Sequence, residues 1–589
     1  MNDMETNLDR RDFIKGAALV GASALSVGAL AVSSSDEAVA APVVETTSST
    51  ASWRIKPDPI PDSEITKEYS AEVIVVGHGY AGITSCREIA ESGHSVILID
   101  LQPEDGYMAM GNSGAAINMP FLMERGVPYI DPIEFFNNWQ INTQNTSNPI
   151  LIMKWVKNSA DTMTWYHDGC SQEQYDAISV SYFTAPADRS KQLSEIFPYK
   201  FWAGSCDTGG PVINQTMLQT YNREAAMQSG AEFHFSTKAK QLVQDASGKV
   251  TGLIATDANG NYVKYNGIVM LGTGGFGMNP EMMYDLLPDL AECLTEGEEL
   301  RCLRDSDGSG IQMAYWAGGR LEPTPIPTMD GRIPWVGEEP AHYESIGHPQ
   351  GLWLDKNGNR FCNEFWGPIE YRTRPGTYMN RSQFFCIYDG NWPENLKYFV
   401  PSHGAQDPTD EFFSKLGPVL EQALEAGPNG PVEGNIRGGT GYSSLIVYGG
   451  NTLEELLDNM GVTDQKLRAN ILASIDRWNE LCEKGVDEDF GRQPNLLFPI
   501  KDGPFYGQAS SLNKIGGMLC TLGGILTDGE QRVVDKDWNP IPGLYASGNT
   551  TGRRFGSDYF TPIYGVSLGI AITLGREAGR SIVRELEQA

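Results

Sequence analysis

The sequence predicts an α/β protein in which a doubly wound, mostly parallel sheet is interrupted by a second domain. Three observations predict this architecture. A strand, a turn, a helix and a second strand follow one another over residues 72–100. A second apolar strand, 268–271, runs into another glycine-rich turn. Residues 321–515 are instead rich in aromatic and turn residues, which indicates an inserted domain of α+β type.

The first unit has the features of a dinucleotide-binding βαβ motif. An apolar strand, 72–76, leads into residues 77–82 with GxGxxG spacing, and a helix and second strand end at Asp100. Glycines at these positions let the backbone approach a pyrophosphate at the helix N-terminus, and the acid binds ribose hydroxyls. The predicted contacts are Gly77, Gly79, Tyr80, Ala81, Gly82 and Asp100.

Later segments supply the other predicted contacts with the dinucleotide. A small-residue loop, 111–114, suits the second phosphate, and residues 233–242 and 250–255 are predicted to form a hairpin. The turn 272–277 repeats the pattern of strand followed by glycines. The predicted contacts are Gly111, Asn112, Ser113, Ala239, Thr273, Gly274, Gly275, Gly548, Asn549, Ser567 and Leu568.

These patterns divide the body of the chain into three segments. Residues 71–320 are predicted as the first segment of the nucleotide-binding domain, 321–515 as the inserted capping domain, and 516–589 as the second nucleotide-binding segment. An amphipathic helical stretch is predicted over 453–481 and a closing helix over 566–585.

The N-terminus has the pattern of a twin-arginine export signal. Arg10 and Arg11 precede an uncharged run rich in alanine and glycine, 16–32, and 38–40 is a small-residue cleavage pattern. Residues 1–40 are therefore predicted as a signal peptide and 41–70 as a linker. A retained membrane anchor is the alternative, although the run is short and poor in leucine. The body has no other segment of about 18 uncharged apolar residues, so we do not expect an integral membrane protein.

Composition limits the partners. The chain carries 44 basic and 75 acidic side chains, a net charge of −31, which argues against binding to nucleic acid or anionic membranes. Nine scattered cysteines contain no CxxC pair, so iron–sulfur and c-type haem motifs are absent, and we expect buried free thiols. His342 and His348 have no common metal-ligand spacing, and no metal site is predicted.

Several motifs resemble the fumarate reductase/succinate dehydrogenase flavoprotein family, which includes the 3-ketosteroid dehydrogenases. They lie at 271–277, 307–311, 359–364, 487–492, 504–506 and 541–548, and the resemblance covers about residues 70–589. It implies a Rossmann-like FAD-binding domain built from two chain segments beneath a capping domain. It also implies hydride transfer between flavin N5 and one alkene carbon, with a protein acid handling the proton at the other.

The sequence departs from fumarate reductases at the positions that bind the dicarboxylate. Cys520 and Pro327 stand where that family has histidines, and Pro368 stands where it has the proton-donating arginine. Tyr559 lies in the region of its C-terminal arginine. A dicarboxylate needs cationic donors on both carboxylates, so fumarate is expected to be a poor substrate.

The resemblance to ketosteroid dehydrogenases gives the catalytic candidates. Tyr559 and the backbone N–H of Gly565 would hold a substrate carbonyl oxygen, as an oxyanion hole does. A buried structural tyrosine is the alternative. Tyr343, Arg372 and Arg374 are candidates for the proton donor. The two arginines are also the nearest replacements for the missing cation, with surface ion pairs as their alternative. Arg553 and Arg554 follow Gly552, and one of them is a further candidate to face the substrate or the flavin, with a structural ion pair as the alternative.

Together these features predict an exported, FAD-dependent reductase of an activated C=C bond in an α,β-unsaturated carbonyl compound, steroid-like or aromatic. Asn112 stands near the position at which covalent members link their flavin to a histidine, so non-covalent FAD is expected. Electrons would come from a separate cytochrome or quinol-linked protein. The alternatives are a ketosteroid-type desaturase and a non-catalytic flavin-binding protein.

Overall fold

The computed structural model describes most of the chain beyond the predicted signal. The described residues are 51–588 apart from 107–108, 110, 182–199, 201, 293–299, 301, 303–304, 330–350, 365–383, 396–409, 436–443, 510–518 and 558. The predicted signal peptide and three catalytic candidates, Tyr343, Arg372 and Arg374, lie outside them.

The strands alternate with helices in the first part of the chain. The strands are β1 Ile65–Val76, β2 Val96–Ile99, β3 Ser113–Ala115, β4 Ser179–Ser181, β5 Ser205–Asp207, β6 Glu232–His234, β7 Lys238–Gln244, β8 Val250–Thr256, β9 Tyr262–Leu271, β10 Leu352–Asp355, β11 Phe384–Asp389, β12 Val432–Asn435, β13 Ser444–Gly450, β14 Phe505–Ala509, β15 Arg532–Val534 and β16 Pro540–Ala546.

The helices of the described residues follow the same chain order. They are α1 Tyr80–Glu91, α2 Pro120–Glu124, α3 Pro132–Asn142, α4 Pro149–Tyr166, α5 Gln172–Ala177, α6 Gln215–Gln228, α7 Pro280–Leu286, α8 Pro288–Ala291, α9 Ser309–Trp316, α10 Trp392–Asn395, α11 Asp410–Ala426, α12 Leu453–Asn459, α13 Gln465–Lys484 and α14 Val566–Gln588. None of them is long and apolar enough to cross a membrane.

The largest sheet has the parallel core that the sequence predicts. Its order is β15-β16-β9-β1-β2-β6, and β16, β9, β1, β2 and β6 pair in parallel. Consecutive residues of β1 contribute to opposite faces: Ile74 and Val76 belong to one buried apolar cluster, and Val73 and Val75 to another. Both faces are covered, which is why the strand is a continuous apolar run rather than an alternating one.

Two secondary-structure predictions differ from the structure. The predicted strand 233–242 is divided: β6 joins the parallel sheet beside β2, and β7 forms the hairpin with β8. Ser236, with φ +51°, breaks the strand between them. The predicted helical stretch 453–481 is likewise two helices, α12 and α13. Asp464 caps α13 by accepting a hydrogen bond from the backbone N–H of Leu467.

Residues 51–70 pack on the protein rather than forming a linker. Trp53 is buried, and its indole N–H donates to Asp285. Arg54 pairs with the same carboxylate at 2.7 Å. β1 begins at Ile65, and its first eight residues are half-buried or exposed, so polar residues there face solvent while the strand continues. The sequence prediction failed because these polar residues resemble a loop.

A second sheet is antiparallel and is formed by residues between 352 and 509. Its order is β10-β11-β14-β13-β12. The Arg360 guanidinium makes two bidentate ion pairs, one with Glu364 and one with Asp487, and all four N–O distances are 2.9 Å. These side chains are almost fully buried. The motifs 359–364 and 487–492 are therefore joined by a buried ion-pair network.

Candidate active site

The three glycines of the first turn have different structural roles. Gly77 has φ +100°, and a Cβ atom there would lie 2.5 Å from the Gly272 carbonyl oxygen. A Cβ atom on Gly82 would lie 1.8 Å from the Gly77 carbonyl oxygen, so this glycine allows α1 to contact the turn. A Cβ atom on Gly79 would meet only the Gly272 carbonyl oxygen among the described atoms, at 3.7 Å. The protein fold thus has no steric need for glycine at position 79, and the space is available to a ligand.

The N-terminus of α1 is suited to bind a phosphate. No side chain accepts a hydrogen bond at the Gly79 cap, and the first turn carries no acidic residue. Ala81 and Gly82 are buried. The first N–H groups of a helix have no partner within the helix, and they carry partial positive charge. A pyrophosphate group would satisfy them, as expected from the sequence.

Asp100 ends β2 next to the same turn. One carboxylate oxygen accepts from the His78 N–H at 2.6 Å, and the other accepts from the Gln102 N–H at 2.7 Å. Burial raises the pKa of Asp100, while these two hydrogen bonds act in the opposite direction. A carboxylate has about four acceptor sites, so two remain for ribose hydroxyls. The Thr237 N–H donates to the Asp100 carbonyl oxygen at 2.7 Å. Ala239, two residues later on β7, is buried.

The ends of the parallel strands bring the other glycine segments to this turn. The Gly272 N–H donates to the Val76 carbonyl oxygen at 2.8 Å, and the Ser547 N–H donates to the Leu271 carbonyl oxygen at 3.0 Å. The hydroxyls of Thr273 and Thr550 are 3.2 Å apart. The segments 272–275 and 548–549 therefore meet at the carboxyl edge of the sheet, where ligands bind in open α/β folds.

A second set of predicted contacts lies around the start of α14. A Cβ atom on Gly111 would lie 3.1 Å from the Leu568 side chain, and one on Gly565 would lie 2.4 Å from the Ser113 carbonyl oxygen. Ser567 is buried in the first turn of α14. The Asn112 carbonyl oxygen accepts from Thr208, so the 111–113 loop is held against the body.

Ser113 supplies a direct indication of a ligand. Its hydroxyl is buried and has no hydrogen-bond partner among the described residues, and the same holds for the hydroxyl of Ser205 beside Gly565. Buried polar groups are normally paired. Together with the open space at Gly79 and the uncapped α1, these unpaired hydroxyls fit an extended dinucleotide such as FAD.

The two positions at which fumarate reductases carry histidines are brought together here. Segments 327–329 and 519–522 pair in antiparallel fashion: the Leu522 N–H donates to the Pro327 carbonyl oxygen, and the Met329 N–H donates to the Cys520 carbonyl oxygen. Half-buried Asp305 accepts from Thr521 and from the N–H groups of Gly275 and Gly277. Asp305 therefore connects this pair to the second glycine turn.

Tyr559 is buried in a large aromatic cluster. Its ring packs edge-on against Phe555 with ring centroids 5.0 Å apart. Trp139 lies 5.6 Å from both Phe555 and Phe560 by ring centroid. The same apolar cluster includes residues of the antiparallel sheet, such as Trp353, and residues of the predicted FAD-binding segments, such as Val566. It therefore lies where these two parts of the protein meet. Its aromatic members among the fully described core are Phe135, Trp139, Trp155, Trp202, Trp353, Tyr388, Tyr506, Phe555, Tyr559 and Phe560.

Glu322 is a site residue that sequence reasoning missed. Its side chain is fully buried, and one oxygen accepts from the Arg553 N–H at 2.9 Å. Burial raises the pKa of the Glu322 carboxyl to about 7, against the effect of Arg553 and Arg554. Arg553 also donates to the Thr146 carbonyl oxygen. No local pattern marks Glu322, because its burial depends on Gly523 and Gly552, which are distant in sequence.

The comparisons with known proteins agree with this geometry. The profile of the family described as "FAD binding domain" matches residues 72–567. The chain is 25% identical to the vinyl phenol reductase of Lactiplantibacillus plantarum (strain ATCC BAA-793 / NCIMB 8826 / WCFS1), over 89% of this chain and 98% of that protein. It is 23% identical to the digoxin reductase of Eggerthella lenta (strain ATCC 25559 / DSM 2243), over 98% and 97%.

A solved structure shows the same fold. The 3-ketosteroid-Δ4-(5α)-dehydrogenase of Rhodococcus jostii RHA1 in complex with 4-androstene-3,17-dione superposes with a TM-score of 0.62 at 20% identity, covering 89% of this chain and 99% of that one. The chain belongs to the fumarate reductase/succinate dehydrogenase flavoprotein family and is an FAD-dependent oxidoreductase that acts on CH–CH groups.

Proposed function

We propose that this protein is an exported reductase of the activated C=C bond in an α,β-unsaturated carbonyl compound with an aromatic or steroid-like body. The observation that carries the proposal is Tyr559, a neutral hydrogen-bond donor buried within an aromatic cluster next to the predicted flavin segments. Apolar aromatic walls with few polar groups are typical of sites for apolar ligands.

The polar groups suit a carbonyl better than a dicarboxylate. Cys520 and Pro327 replace the histidines of fumarate reductases at positions that this fold brings together. The described histidines, His78, His94, His167 and His234, lie outside this segment pair. A phenol donates one hydrogen bond to a ketone or ester oxygen without carrying charge.

The reaction divides between cofactor and protein. Bound FAD would supply the hydride for one alkene carbon, and a protein acid would supply the proton for the other. Tyr559, with the backbone N–H of Gly565, would stabilise the negative charge that develops on the carbonyl oxygen, and a fixed donor of this kind needs no reorganisation. The relatives named vinyl phenol reductase and digoxin reductase support the direction of reduction for this chain as well.

The remaining parts of the proposal concern location, cofactor attachment and electron supply. The twin-arginine pattern supports export of the folded protein after it binds FAD. Asn112 in place of a linking histidine supports non-covalent FAD. The lack of CxxC pairs supports a separate electron donor, a cytochrome or quinol-linked protein, because the chain carries no motif for its own haem or cluster.

An oxidant screen tests the function. The purified holoenzyme is reduced under anaerobic conditions with a stoichiometric amount of dithionite, and flavin absorbance is followed after addition of enones, cinnamates or unsaturated acids. Rapid reoxidation with formation of the saturated product supports the proposal. Reduction of the oxidised enzyme by saturated ketones would instead identify a desaturase, and neither event would identify a non-catalytic flavin-binding protein.

A further inference from the structure

Arg554 is a fully buried cation with an unused donor. Its Nε donates to the Thr551 carbonyl oxygen at 3.2 Å, and Nη2 donates to the Leu522 carbonyl oxygen and the Asn549 side-chain oxygen, each at 3.0 Å. These contacts fix the plane of the guanidinium. The second terminal nitrogen, Nη1, has no hydrogen-bond partner among the described residues.

Arg554 also lacks a direct carboxylate partner in the described part of the chain. The ion pairs formed by arginines within 4.0 Å include Arg553 with Glu322 at 3.8 Å, whereas none involves Arg554. Burial lowers the pKa of Arg554 to about 10, so the group is still charged at neutral pH. Burying a charge is costly unless it is paired and hydrogen-bonded, so an anionic ligand that accepted from Nη1 would stabilise this arginine.

The surroundings place this donor at the substrate side of the site. Arg554 donates to the carbonyl oxygen of Leu522, which belongs to the segment 519–522 that pairs with 327–329. Cys520 accepts a weak hydrogen bond from Asn549 at 3.5 Å, and Asn549 in turn accepts from Arg554. The cation is therefore connected through Asn549 to Cys520, one of the positions that differ from fumarate reductases, and the ring of the next residue, Phe555, packs against Tyr559.

Glu322 does not neutralise this donor. One of its oxygens is held by the Arg553 N–H, and the other, Oε2, has no partner among the described residues. A Cβ atom on Gly523 or Gly552 would lie 2.4 or 2.6 Å from Oε2, so these two glycines make the room for the carboxyl. The acid is thus fixed at a distance from Arg554 and acts on it through space.

We propose that Arg554 Nη1 binds the single carboxylate of the substrate, so that the substrate class is α,β-unsaturated monocarboxylic acids. This inference rests on the proposed reductase function and narrows it. Arg554, which has no carboxylate partner within 4.0 Å among the described residues, matches one negative charge on a ligand. Tyr559 and Arg554 would each donate to one oxygen of the same carboxylate, while the aromatic cluster binds the rest of the molecule.

Binding to the oxidised holoenzyme tests this assignment without turnover. Cinnamate and cinnamamide have nearly the same shape and differ in charge, and flavin difference spectra give their dissociation constants. We expect wild-type protein to bind cinnamate about 10- to 100-fold more tightly than cinnamamide, as for a charge-assisted hydrogen bond. Arg554→Gln should abolish that preference while cinnamamide affinity stays within about 2-fold.

Two variants serve as controls. Arg553→Lys should retain the preference, because that side chain donates to Thr146 and is partly exposed. Glu322→Gln should increase the preference, because it removes the negative charge that competes with the ligand. If Arg554→Gln does not retain FAD or fold, wild-type protein and Glu322→Gln still decide the question.

Several results would overturn the assignment. Equal affinity of wild-type protein for the two probes, or a preference that survives in Arg554→Gln, would exclude the carboxylate contact. A shifted flavin potential in Arg554→Gln with an unchanged preference would mean that the anion is the reduced cofactor. The proposed function fails separately: reduced enzyme that no unsaturated compound reoxidises contradicts it, even if the charge preference is present.

Discussion

Replacing the glycines of the first turn one at a time should separate cofactor binding from folding. Gly79→Ala adds a Cβ atom that meets protein only at 3.7 Å, on a backbone of φ −67° that any residue can adopt. Gly82→Ala adds one that would lie 1.8 Å from the Gly77 carbonyl oxygen. The two variants carry the same chemical change in one turn, so each serves as a control for the other.

The expected magnitudes follow from these contacts. In the apoprotein, Gly79→Ala loses a favourable cap residue but gains from a less flexible unfolded chain, and the two effects leave a net change of about 0.5 kcal/mol or less. Gly82→Ala must displace backbone and should lower the free energy of unfolding by about 1–3 kcal/mol. For FAD, losing one charge-assisted phosphate contact costs about 1.5–3 kcal/mol, so Gly79→Ala should raise Kd by about 10- to 150-fold.

The assay uses apoprotein prepared by removal of the flavin. Thermal and urea unfolding give the stability order, and quenching of FAD fluorescence during titration gives Kd. The reasoning would be refuted if Gly79→Ala bound FAD with a Kd within about 3-fold of wild type. It would also be refuted if Gly79→Ala lowered the free energy of unfolding of the apoprotein as much as Gly82→Ala does. Glycine at position 79 would then be required for folding rather than for FAD binding.

Three further outcomes are expected. Tyr559→Phe should retain FAD and fold but lose about 10²-fold in kcat on the physiological substrate, whereas Tyr545→Phe, which removes a buried hydroxyl bonded to Glu585, should keep its kcat. Burial raises the pKa of Glu322 from 4.5 to about 7, so the folded protein favours the protonated carboxyl. The contribution of Glu322 to the free energy of unfolding is therefore fully present below pH about 4.5 and is lost as pH rises through about 7. The apoprotein should therefore lose up to about 3 kcal/mol between those limits relative to Glu322→Gln, and parallel unfolding curves for the two proteins would contradict this. Reduced viologen should support turnover far better than NADH, and comparable steady-state rates would exclude a separate non-nicotinamide donor.

Local sequence was sufficient for the parallel core of the FAD-binding fold. A buried strand, a tight turn and a helix follow one another here within a few residues. Their local geometry explains the apolar run of β1, the spacing of the glycines and the acid at Asp100. Such motifs can be recognised from sequence because the structural role of each residue depends on residues close to it in the chain. The sequence also predicted buried free thiols, and six of the eight described cysteines are buried.

Short-range patterns failed where polar residues belong to ordered structure. Residues 51–64 have the composition of a linker, yet Trp53 and Arg54 attach them to Asp285, more than two hundred residues later in the chain. The strand predicted over 233–242 was divided because a single left-handed residue, Ser236, sends its two halves to different neighbours. In each case the decisive partner was distant in sequence.

The sequence by itself determined that this protein binds FAD through a doubly wound fold, and that the dicarboxylate-binding residues of fumarate reductases are missing. Only the tertiary structure decided which charges remain in the site. Arg554 was one of two arginines that the sequence offered next to Gly552, whereas Glu322, 232 residues earlier, lies in no recognisable motif. Their burial results from Gly523, Gly552 and the pairing of 327–329 with 519–522. Whether a charged side chain is solvated or buried depends on what the rest of the chain packs around it, and no local pattern records that.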